Sequence, residues 1–224
     1  MKIGIGLTTY NRPKHFDLWR RQIATTTPLS YLIYHAADGQ PDRKGIAYRK
    51  NECLIALKGC DYIFLFDDDC FPIKEGWADY FINASKASGQ HHLMYLRETP
   101  TIKKIASPHD ELIEYNNCAG CMMFITKEVI DKVGGYGKYL NYGYEHAGYS
   151  QRIHNAGLTP LGKYTCPAGV GEYIYAMDYD YSRRDEFQKK VGHGPSMKPS
   201  EIITQIALSE EYYIRDIQTT HQPL

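Results

Sequence analysis

The sequence predicts an α/β fold in which helices flank a mostly parallel central sheet. Short apolar runs rich in β-branched and aromatic residues alternate with segments of helical periodicity. The run at 62–66 lacks the polar alternation of a half-exposed strand, which indicates a strand buried on both faces. The run at 62–66 ends in Asp67, Asp68 and Asp69, and the carboxyl ends of parallel strands are where such sheets bind ligands.

The three adjacent carboxylates indicate a cation site. At close range they would repel one another, so a positive charge is expected beside them. The simplest candidate is a divalent cation, which takes oxygen ligands from one or two carboxylates and from substrate phosphates. The alternative is a solvated acidic turn or a cap for the next helix, as short acidic motifs often form.

The predicted strands are unbroken apolar runs bounded by turn residues. The first ends where Tyr10 to Pro13 interrupt it, and the second stops at Asp38 and Gly39. The predicted strands span 3–9, 31–37, 62–66, 93–96 and 119–125.

The predicted helices have boundary signals or an apolar stripe. Pro13 fits the first turn of one helix, and Gly157 fits the end of another. The predicted helices span 13–25, 45–58, 75–87, 127–133, 145–156 and the amphipathic stretch 200–224.

The composition argues against some classes of function. The 224 residues carry 26 basic and 26 acidic side chains, so no net charge draws the chain to nucleic acid or membranes. No apolar stretch reaches the length of a transmembrane helix, and Met1 leads straight into a strand rather than a signal peptide. We therefore expect a soluble, cytoplasmic protein, and the sequence leaves its oligomeric state open.

Cysteine and tyrosine usage add two expectations. The six cysteines suit a reducing compartment. Cys118 and Cys121 form a C-x-x-C pair with no second pair at zinc spacing, so small-residue packing is favoured over a metal or redox role. Among the 20 tyrosines, those at 136–149 and 173–181 suggest a site that stacks on sugar rings or a base.

Five landmarks follow one another along the chain. They are Thr8-Thr9-Tyr10-Asn11-Arg12, Asp38-Gly39, Lys50-Asn51, Asp67-Asp68-Asp69, and Tyr144-Glu145-His146 opening a helix that ends Asn155-Ala156-Gly157. Their order and spacing resemble glycosyltransferases of the GT-A fold, most closely glycosyltransferase family 2, over roughly residues 3 to 175. The resemblance implies a Rossmann-like single domain, a nucleoside-diphosphate sugar donor with UDP favoured, and a Mn²⁺ or Mg²⁺ cofactor.

The resemblance also implies boundaries along the chain. A GT-A catalytic domain would span 1–177, with a nucleotide-sugar half to about residue 97 and an acceptor half over 98–177. Residues 178–199 would form a basic loop or lid, and 200–224 a C-terminal helix packed on the domain. The basic residues of the loop would be a solvated face or a clamp on the diphosphate; they are Arg183, Arg184, Lys189 and Lys190.

By the same resemblance, the donor site is built from strand ends and one helix. Thr8, Thr9, Tyr10 and Arg12 would line the nucleotide pocket, because that strand end faces the cleft. The Asp38 carboxylate would accept a hydrogen bond from the uracil ring.

The helix over 45–58 would supply further donor contacts. Lys50 and Asn51 match an Arg-Asn pair of the family that lies near the donor. Lys stands where Arg is usual and Arg49 lies beside it, so the resemblance leaves open which of the two contacts the donor.

The acidic run matches the D-x-D motif of the family. Asp67 would bond the ribose and contribute to the metal site, and Asp69 would coordinate the metal that bridges the diphosphate. That metal would neutralise charge on the leaving group. Asp68 would contact the sugar or act structurally.

A downstream residue often completes the metal site in the family. His193 is the first candidate, because flanking glycines would let a lid move. Glu172 and Asp178 are the alternatives.

The acceptor side of the site would be formed by residues 117–120 and by the helix that begins at residue 145. Asn117 would bond sugar hydroxyls, Ala119 and Gly120 would allow close backbone approach to the sugar, and Tyr144 would border the acceptor. The acceptor itself is open among a glycan, a lipid, a protein and a modified base.

Glu145 and His146 stand where inverting relatives carry Glu-Asp. Either could be the general base that deprotonates the acceptor, and the helix dipole would keep His146 neutral. The structural alternative is that Glu145 caps the helix and His146 packs. The departure leaves open both the identity of the base and whether transfer inverts or retains.

Two other functions compete with a glycosyltransferase. A sugar nucleotidyltransferase normally carries a glycine-rich basic loop after its first strand, which Tyr10 to Pro13 do not provide. A catalytically inactive carbohydrate- or nucleotide-binding module is favoured only by the Glu145-His146 departure.

Overall fold

The structure, a computed structural model, describes residues 1–39, 41, 43–105, 111–140, 143–179, 199–217 and 221–224. The predicted ligand His193 and the basic residues of 183–190 lie outside these ranges. Within the described residues, no helix combines the length and the apolar character needed to cross a membrane.

The described residues form alternating strands and helices. The strands are β1 (Ile3–Tyr10), β2 (Leu32–Asp38), β3 (Tyr62–Asp67), β4 (Cys70–Pro72), β5 (His92–Met94), β6 (Leu112–Glu114), β7 (Met122–Thr126), β8 (Thr165–Pro167) and β9 (Ile174–Ala176). The helices are α1 (Pro13–Thr26), α2 (Ile46–Leu57), α3 (Trp77–Ser88), α4 (Lys127–Val133), α5 (Glu145–Asn155) and α6 (Pro199–Asp216).

The central sheet has five strands in the order β2-β1-β3-β7-β5. β1 runs parallel to β2 and β3, whereas β7 is antiparallel to both of its neighbours, so four strands share one direction. The prediction of an α/β fold with a mostly parallel sheet is confirmed. The register places Thr8 opposite Asp67 and Tyr10 opposite Asp38, which aligns the predicted site residues at one edge.

Two glycines let α2 lie close against β1. A Cβ atom at Gly6 would come within 2.7 Å of Cys53 and 2.8 Å of Leu65, and one at Gly4 within 2.9 Å of Cys60. Side chains larger than hydrogen would push the helix away from the sheet. The close approach places the side chains of α2 within reach of the strand ends. The six cysteines, all within the described residues, are buried free thiols.

An aromatic cluster packs on the other face of β3. Phe64 meets Trp77 edge to face with ring centroids 4.6 Å apart, and it also contacts Phe81 and Phe124. These rings are fully or almost fully buried. Buried edge-to-face packing of this kind contributes beyond the area removed from water, so it holds β3 firmly under the acidic run.

The sequence prediction differs from the structure mainly in short strands. β4 pairs with β9 and β6 with β8, and these strands have three residues each, too few to show a period-two pattern. The predicted strand 119–125 begins only at Met122. Before it, the carbonyl of Cys121 accepts a hydrogen bond from the Asp67 amide at 2.8 Å, so 118–121 run beside the acidic turn.

The C-terminal part of the described chain returns to the domain. α6 packs against α5, and Arg152 Nε lies 3.0 Å from Asp216 Oδ1. Beyond α6, the Gln222 carbonyl accepts a hydrogen bond from the Gly135 amide at 2.9 Å, and the Gln222 amide donates to Val133 at the same distance. The turn at 133–136 is thereby held from two sides.

Candidate active site

The acidic run lies at the carboxyl ends of β1 and β3. Thr8 Oγ1 donates a hydrogen bond to Asp67 Oδ1 at 2.8 Å, and Thr9 Oγ1 donates to Asp68 Oδ2. These contacts follow from the register that sets Thr8 opposite Asp67. The structure therefore brings the predicted nucleotide-pocket threonines onto the acidic run.

Two basic side chains supply positive charge at this run. Arg12 Nη1 lies 3.0 Å from Asp69 Oδ2, and Arg12 Nη2 pairs with Asp68. The fully buried Lys50 places Nζ 3.6 Å from Asp67 Oδ1 and 3.2 Å from Glu145 Oε1. The expected positive charge is thus partly provided by the protein itself.

Negative charge nevertheless remains in excess. Burial raises the pKa of Asp67 to about 6 although Lys50 opposes it, and burial raises the pKa of Asp68 to about 7 although Arg12 opposes it. With Asp69 and Glu145, four carboxylates face these two basic side chains among the residues that the structure describes. A divalent cation would relieve this excess.

The donor atoms at the run fit such a cation. Across the described part of the chain, no three or more His, Cys, Asp or Glu side chains gather into a preformed metal cluster. Asp67 and Asp69 would therefore supply the protein ligands, and substrate and water oxygens the rest. That division is typical of Mg²⁺ in phosphate-handling sites.

Glu145 begins α5 and is 3% exposed. Its Oε1 lies 3.2 Å from both Lys50 Nζ and His146 Nδ1. Burial alone would raise its pKa, but Lys50 and His146 outweigh burial and hold the pKa of Glu145 well below its usual range. Glu145 is therefore ionised at neutral pH.

The groups around His146 oppose the neutral state that the helix dipole favours. Burial opposes its charge, but Cys118 and Glu145 beside it outweigh burial and raise the pKa of His146 to about 10. A carboxylate in direct contact outweighs the partial charge of about half a unit at a helix end. The raised pKa favours the protonated form of His146, and its role as the general base stays a prediction. Even when His146 is counted as a cation, carboxylates outnumber cations among the described residues of the site.

Asp38 and Arg49 stabilise the segment that leads into α2. The Asp38 carboxylate accepts hydrogen bonds from the amides of Lys44 at 2.9 Å and Gly45 at 2.8 Å, and Arg49 Nη2 lies 3.2 Å from its Oδ1. Between the two basic neighbours on α2, Lys50 points to the acidic run and Arg49 points to Asp38. The binding of uracil by Asp38 stays a prediction.

Asn51 points away from the acidic run, and its contact with the donor stays a prediction. Its Nδ2 donates to the Tyr136 carbonyl at 3.0 Å, and its Oδ1 accepts from the Tyr136 amide at 2.7 Å. Successive helical residues point about 100° apart, so once Lys50 faces the run, Asn51 faces away from it. Asn51 anchors the turn at 133–136.

Gly120 lies close against the ring of His146. A Cβ atom at Gly120 would lie 2.9 Å from the His146 ring, and the Gly120 carbonyl accepts a hydrogen bond from Lys50 at 3.2 Å. Ala119 beside it is partly buried, and Asn117 makes a local bond to the Cys118 amide at 2.8 Å. The binding of sugar by Asn117, Ala119 and Gly120 stays a prediction.

The sequence prediction missed two residues of α6 beside the site. Tyr144, in a left-handed conformation with φ 62°, donates its hydroxyl hydrogen bond to Glu210 at 3.1 Å, and its ring lies 5.8 Å from that of Tyr213. No local pattern signals Glu210 and Tyr213, because the contact spans 66 residues. The alternative metal ligand Glu172 is exposed and pairs with Lys74.

The described architecture is that of the GT-A glycosyltransferases. No protein-family profile matches the chain, and no characterised sequence is significantly similar to it. Residues 1–349 of S. aureus TarS share 12% identity with a TM-score of 0.57, covering 97% of this chain and 69% of that one. The mannosyltransferase PcManGT from Pyrobaculum calidifontis, in complex with GDP-Man and Mn²⁺, shares 12% identity with a TM-score of 0.55, covering 97% and 73%. TarS in complex with UDP-GlcNAc has 10% identity and a TM-score of 0.54, covering 97% and 70%.

Proposed function

We propose that the protein is a metal-dependent glycosyltransferase that moves a sugar from a nucleoside-diphosphate sugar, UDP-linked by preference, to an acceptor hydroxyl. One observation carries the proposal: the strand ends gather threonine hydroxyls, two basic side chains and a buried glutamate around three aspartates. The similar structures with UDP-GlcNAc and with GDP-Man and Mn²⁺ support the nucleotide-sugar donor.

The donor would lie along the carboxyl ends of β1, β2 and β3. Tyr10 and Asp38 would border the nucleobase, because they lie opposite each other at the outer pair of strand ends. Asp67 and Asp69 would hold Mn²⁺ or Mg²⁺, which supplies neutralising charge to the diphosphate leaving group. Arg12 would add a planar guanidinium suited to phosphate oxygens.

The acceptor would approach from the start of α5. Its oxygen would form a bond to the anomeric carbon of the sugar as the bond from that carbon to the diphosphate breaks, and Glu145 would take the hydroxyl proton. Glu145 has the charge that a general base requires, although its contacts with Lys50 and His146 lower its basicity. Direct displacement of this kind inverts the anomeric configuration.

Isothermal titration tests this function. UDP, GDP and their sugar conjugates are titrated with Mn²⁺ and again with chelator. We expect one nucleotide to bind only with Mn²⁺, and Asp69→Asn to weaken that binding by at least about 100-fold, because a metal-ligand carboxylate is lost. Asp131→Asn, which alters an exposed ion pair with Lys127, is the matched control. No binding of any nucleotide under either condition would contradict the proposal.

An inactive binding module is the second candidate, and the ion-paired state of Glu145 and His146 favours it. Such a module would bind the metal and nucleotide sugar as above but release no nucleoside diphosphate, with or without acceptors. Nucleotide release measured over hours therefore separates the two functions.

A further inference from the structure

The Arg12 guanidinium occupies one of the two carboxylates that the metal would need, that of Asp69. Arg12 Nη1 lies 3.0 Å from Asp69 Oδ2, and Nη2 pairs with Asp68, whose side chain is fully buried. The Asp69 side chain is 18% exposed and that of Arg12 is 28% exposed, so both border the open side of the site.

We propose that Arg12 and the divalent cation compete for Asp69, and that Arg12 passes from this carboxylate to the donor diphosphate when metal and donor bind together. This inference rests on the proposed function. It makes metal and nucleotide binding interdependent. The diphosphate reduces the repulsion between the cation and Arg12, and the cation displaces Arg12 from Asp69 so that it can bind the diphosphate.

The argument is electrostatic. A divalent cation on Asp69 would lie within a few ångströms of the Arg12 guanidinium, and like charges at that range repel. Without an anion between them, Arg12 opposes the cation. A diphosphate placed between the two turns the same pair of charges into a favourable arrangement.

Arg12 is suited to such a change of partner, whereas Lys50 is not. Arg12 follows Asn11, which is held at a φ of 47°, and precedes Pro13, so its backbone is set while its long side chain borders solvent. Its five N–H donors exceed the two carboxylates that it pairs with. Lys50 is fully buried between Asp67 and Glu145 and is fixed there.

The test measures Mn²⁺ alone and then UDP in saturating Mn²⁺, in wild type and in Arg12→Gln. Bound Mn²⁺ is counted by electron paramagnetic resonance and UDP by calorimetry. We expect the variant to bind Mn²⁺ alone about tenfold more tightly and UDP about tenfold more weakly, as the loss of one nearby positive charge dictates. Arg20→Gln, which removes an arginine stacked on Phe16 of the same helix, is the matched control and should change neither affinity.

The test depends on the Mn²⁺ affinity and the UDP affinity of Arg12→Gln changing in opposite directions. Mn²⁺ affinity in Arg12→Gln that equals or falls below the wild-type value overturns the competition, and weakening of both ligands would show that Arg12 only maintains the fold. In either case wild type still binds Mn²⁺ and UDP, so the proposed function stands. Failure of wild type and variant alike to bind Mn²⁺ would overturn the inference together with the metal dependence.

A second pair of variants provides the same test if Arg12→Gln fails to fold. Arg12→Gln leaves the buried Asp68 carboxylate without this guanidinium, so the same comparison is made between Asp68→Asn and Asp68→Asn with Arg12→Gln. The neutral amide introduced by Asp68→Asn needs no counter-charge, and Asp69 is intact in both variants. The double variant should again bind Mn²⁺ about tenfold more tightly than the single one. Equal affinities would overturn the inference.

Discussion

Two regions with buried ion pairs among the described residues differ in their balance of charge. At the α5–α6 junction, Arg152 pairs with Asp216 and also donates to the carbonyls of Val133 at 3.1 Å and Gly135 at 2.5 Å. Asp216 accepts a further hydrogen bond from the Tyr139 hydroxyl at 2.8 Å. At the acidic run, in contrast, the carboxylates outnumber the cations that the described part of the chain places against them.

The comparison distinguishes ion pairs that stabilise the fold from charged clusters that bind ligands. A buried pair with matched charge and hydrogen bonds has no electrostatic need of a ligand, and its removal leaves an uncompensated charge. A buried cluster with surplus charge of one sign stays costly until a ligand of the other sign arrives, and such clusters mark functional sites. The junction belongs to the first kind and the acidic run to the second.

The largest effect is expected on turnover in Glu145→Gln. Loss of a general base lowers turnover by about 10²- to 10⁴-fold. Donor affinity should change little, because Asp67 and Asp69 are intact and Lys50 keeps Asp67 as partner. Nucleotide release and calorimetry measure the two quantities, with Glu128→Gln, in an exposed ion pair with Lys132, as the control. Near-normal turnover in Glu145→Gln would remove its catalytic role.

A smaller effect is expected on stability in Arg152→Met. Breaking a buried pair from one side costs about 3–5 kcal/mol of the free energy of unfolding, because the Asp216 charge stays buried. Urea unfolding measures the loss, while Mn²⁺ binding per folded molecule should be unchanged. Arg152→Met combined with Asp216→Leu should recover much of the loss. If Arg152→Met alone were as stable as wild type, the contrast between the α5–α6 junction and the acidic run would be contradicted.

The smallest effect is a gain of stability in Asp68→Asn at alkaline pH. The pKa of Asp68 rises from an ordinary 3.8 to about 7, so the folded protein binds the proton more tightly than the unfolded chain. Stability therefore falls as pH rises from about 4 to 7, and the full deficit persists above 7. At pH 8 the Asn variant should melt above wild type, by about 2–4 °C for each kcal/mol of this deficit, and near pH 4 no higher. A variant that melts lower at pH 8 would show that the pair with Arg12 stabilises the fold.

Sequence patterns predict the parts of this fold that depend on local order. The apolar run of β3 followed by Asp67, and the glycine-bounded helices, are local signals, and the structure contains them. The side that Asn51 faces depends on how α2 rotates over the sheet, which Gly4 and Gly6 decide through packing. The short strands and the contact of Tyr144 with Glu210 join distant segments, so no window of sequence contains both partners.

The candidate site also combines features that local sequence predicts with features that depend on contacts between distant segments. The pairing of Thr8 with Asp67 follows from two predicted parallel strands, once their register is known. The pairs made by Arg12 and the raised pKa of His146 depend on side-chain distances that the order of residues does not specify. The helix dipole favours a neutral His146, whereas the contact of its ring with the Glu145 carboxylate favours the cation.

The position of β7 between β3 and β5 has a consequence for the order of folding. β5 precedes β7 in the chain, yet it pairs with β7 in the central sheet, so it cannot join until the chain from Met94 to Met122 has been made. At ribosomal rates of roughly 5–20 residues per second, that interval lasts a few seconds. During it the parallel unit of β1, β2 and β3 can form with one edge of β3 unpaired. Entry of β7 is then the step that closes the sheet, and slowing it would expose the apolar edge of β3 to aggregation.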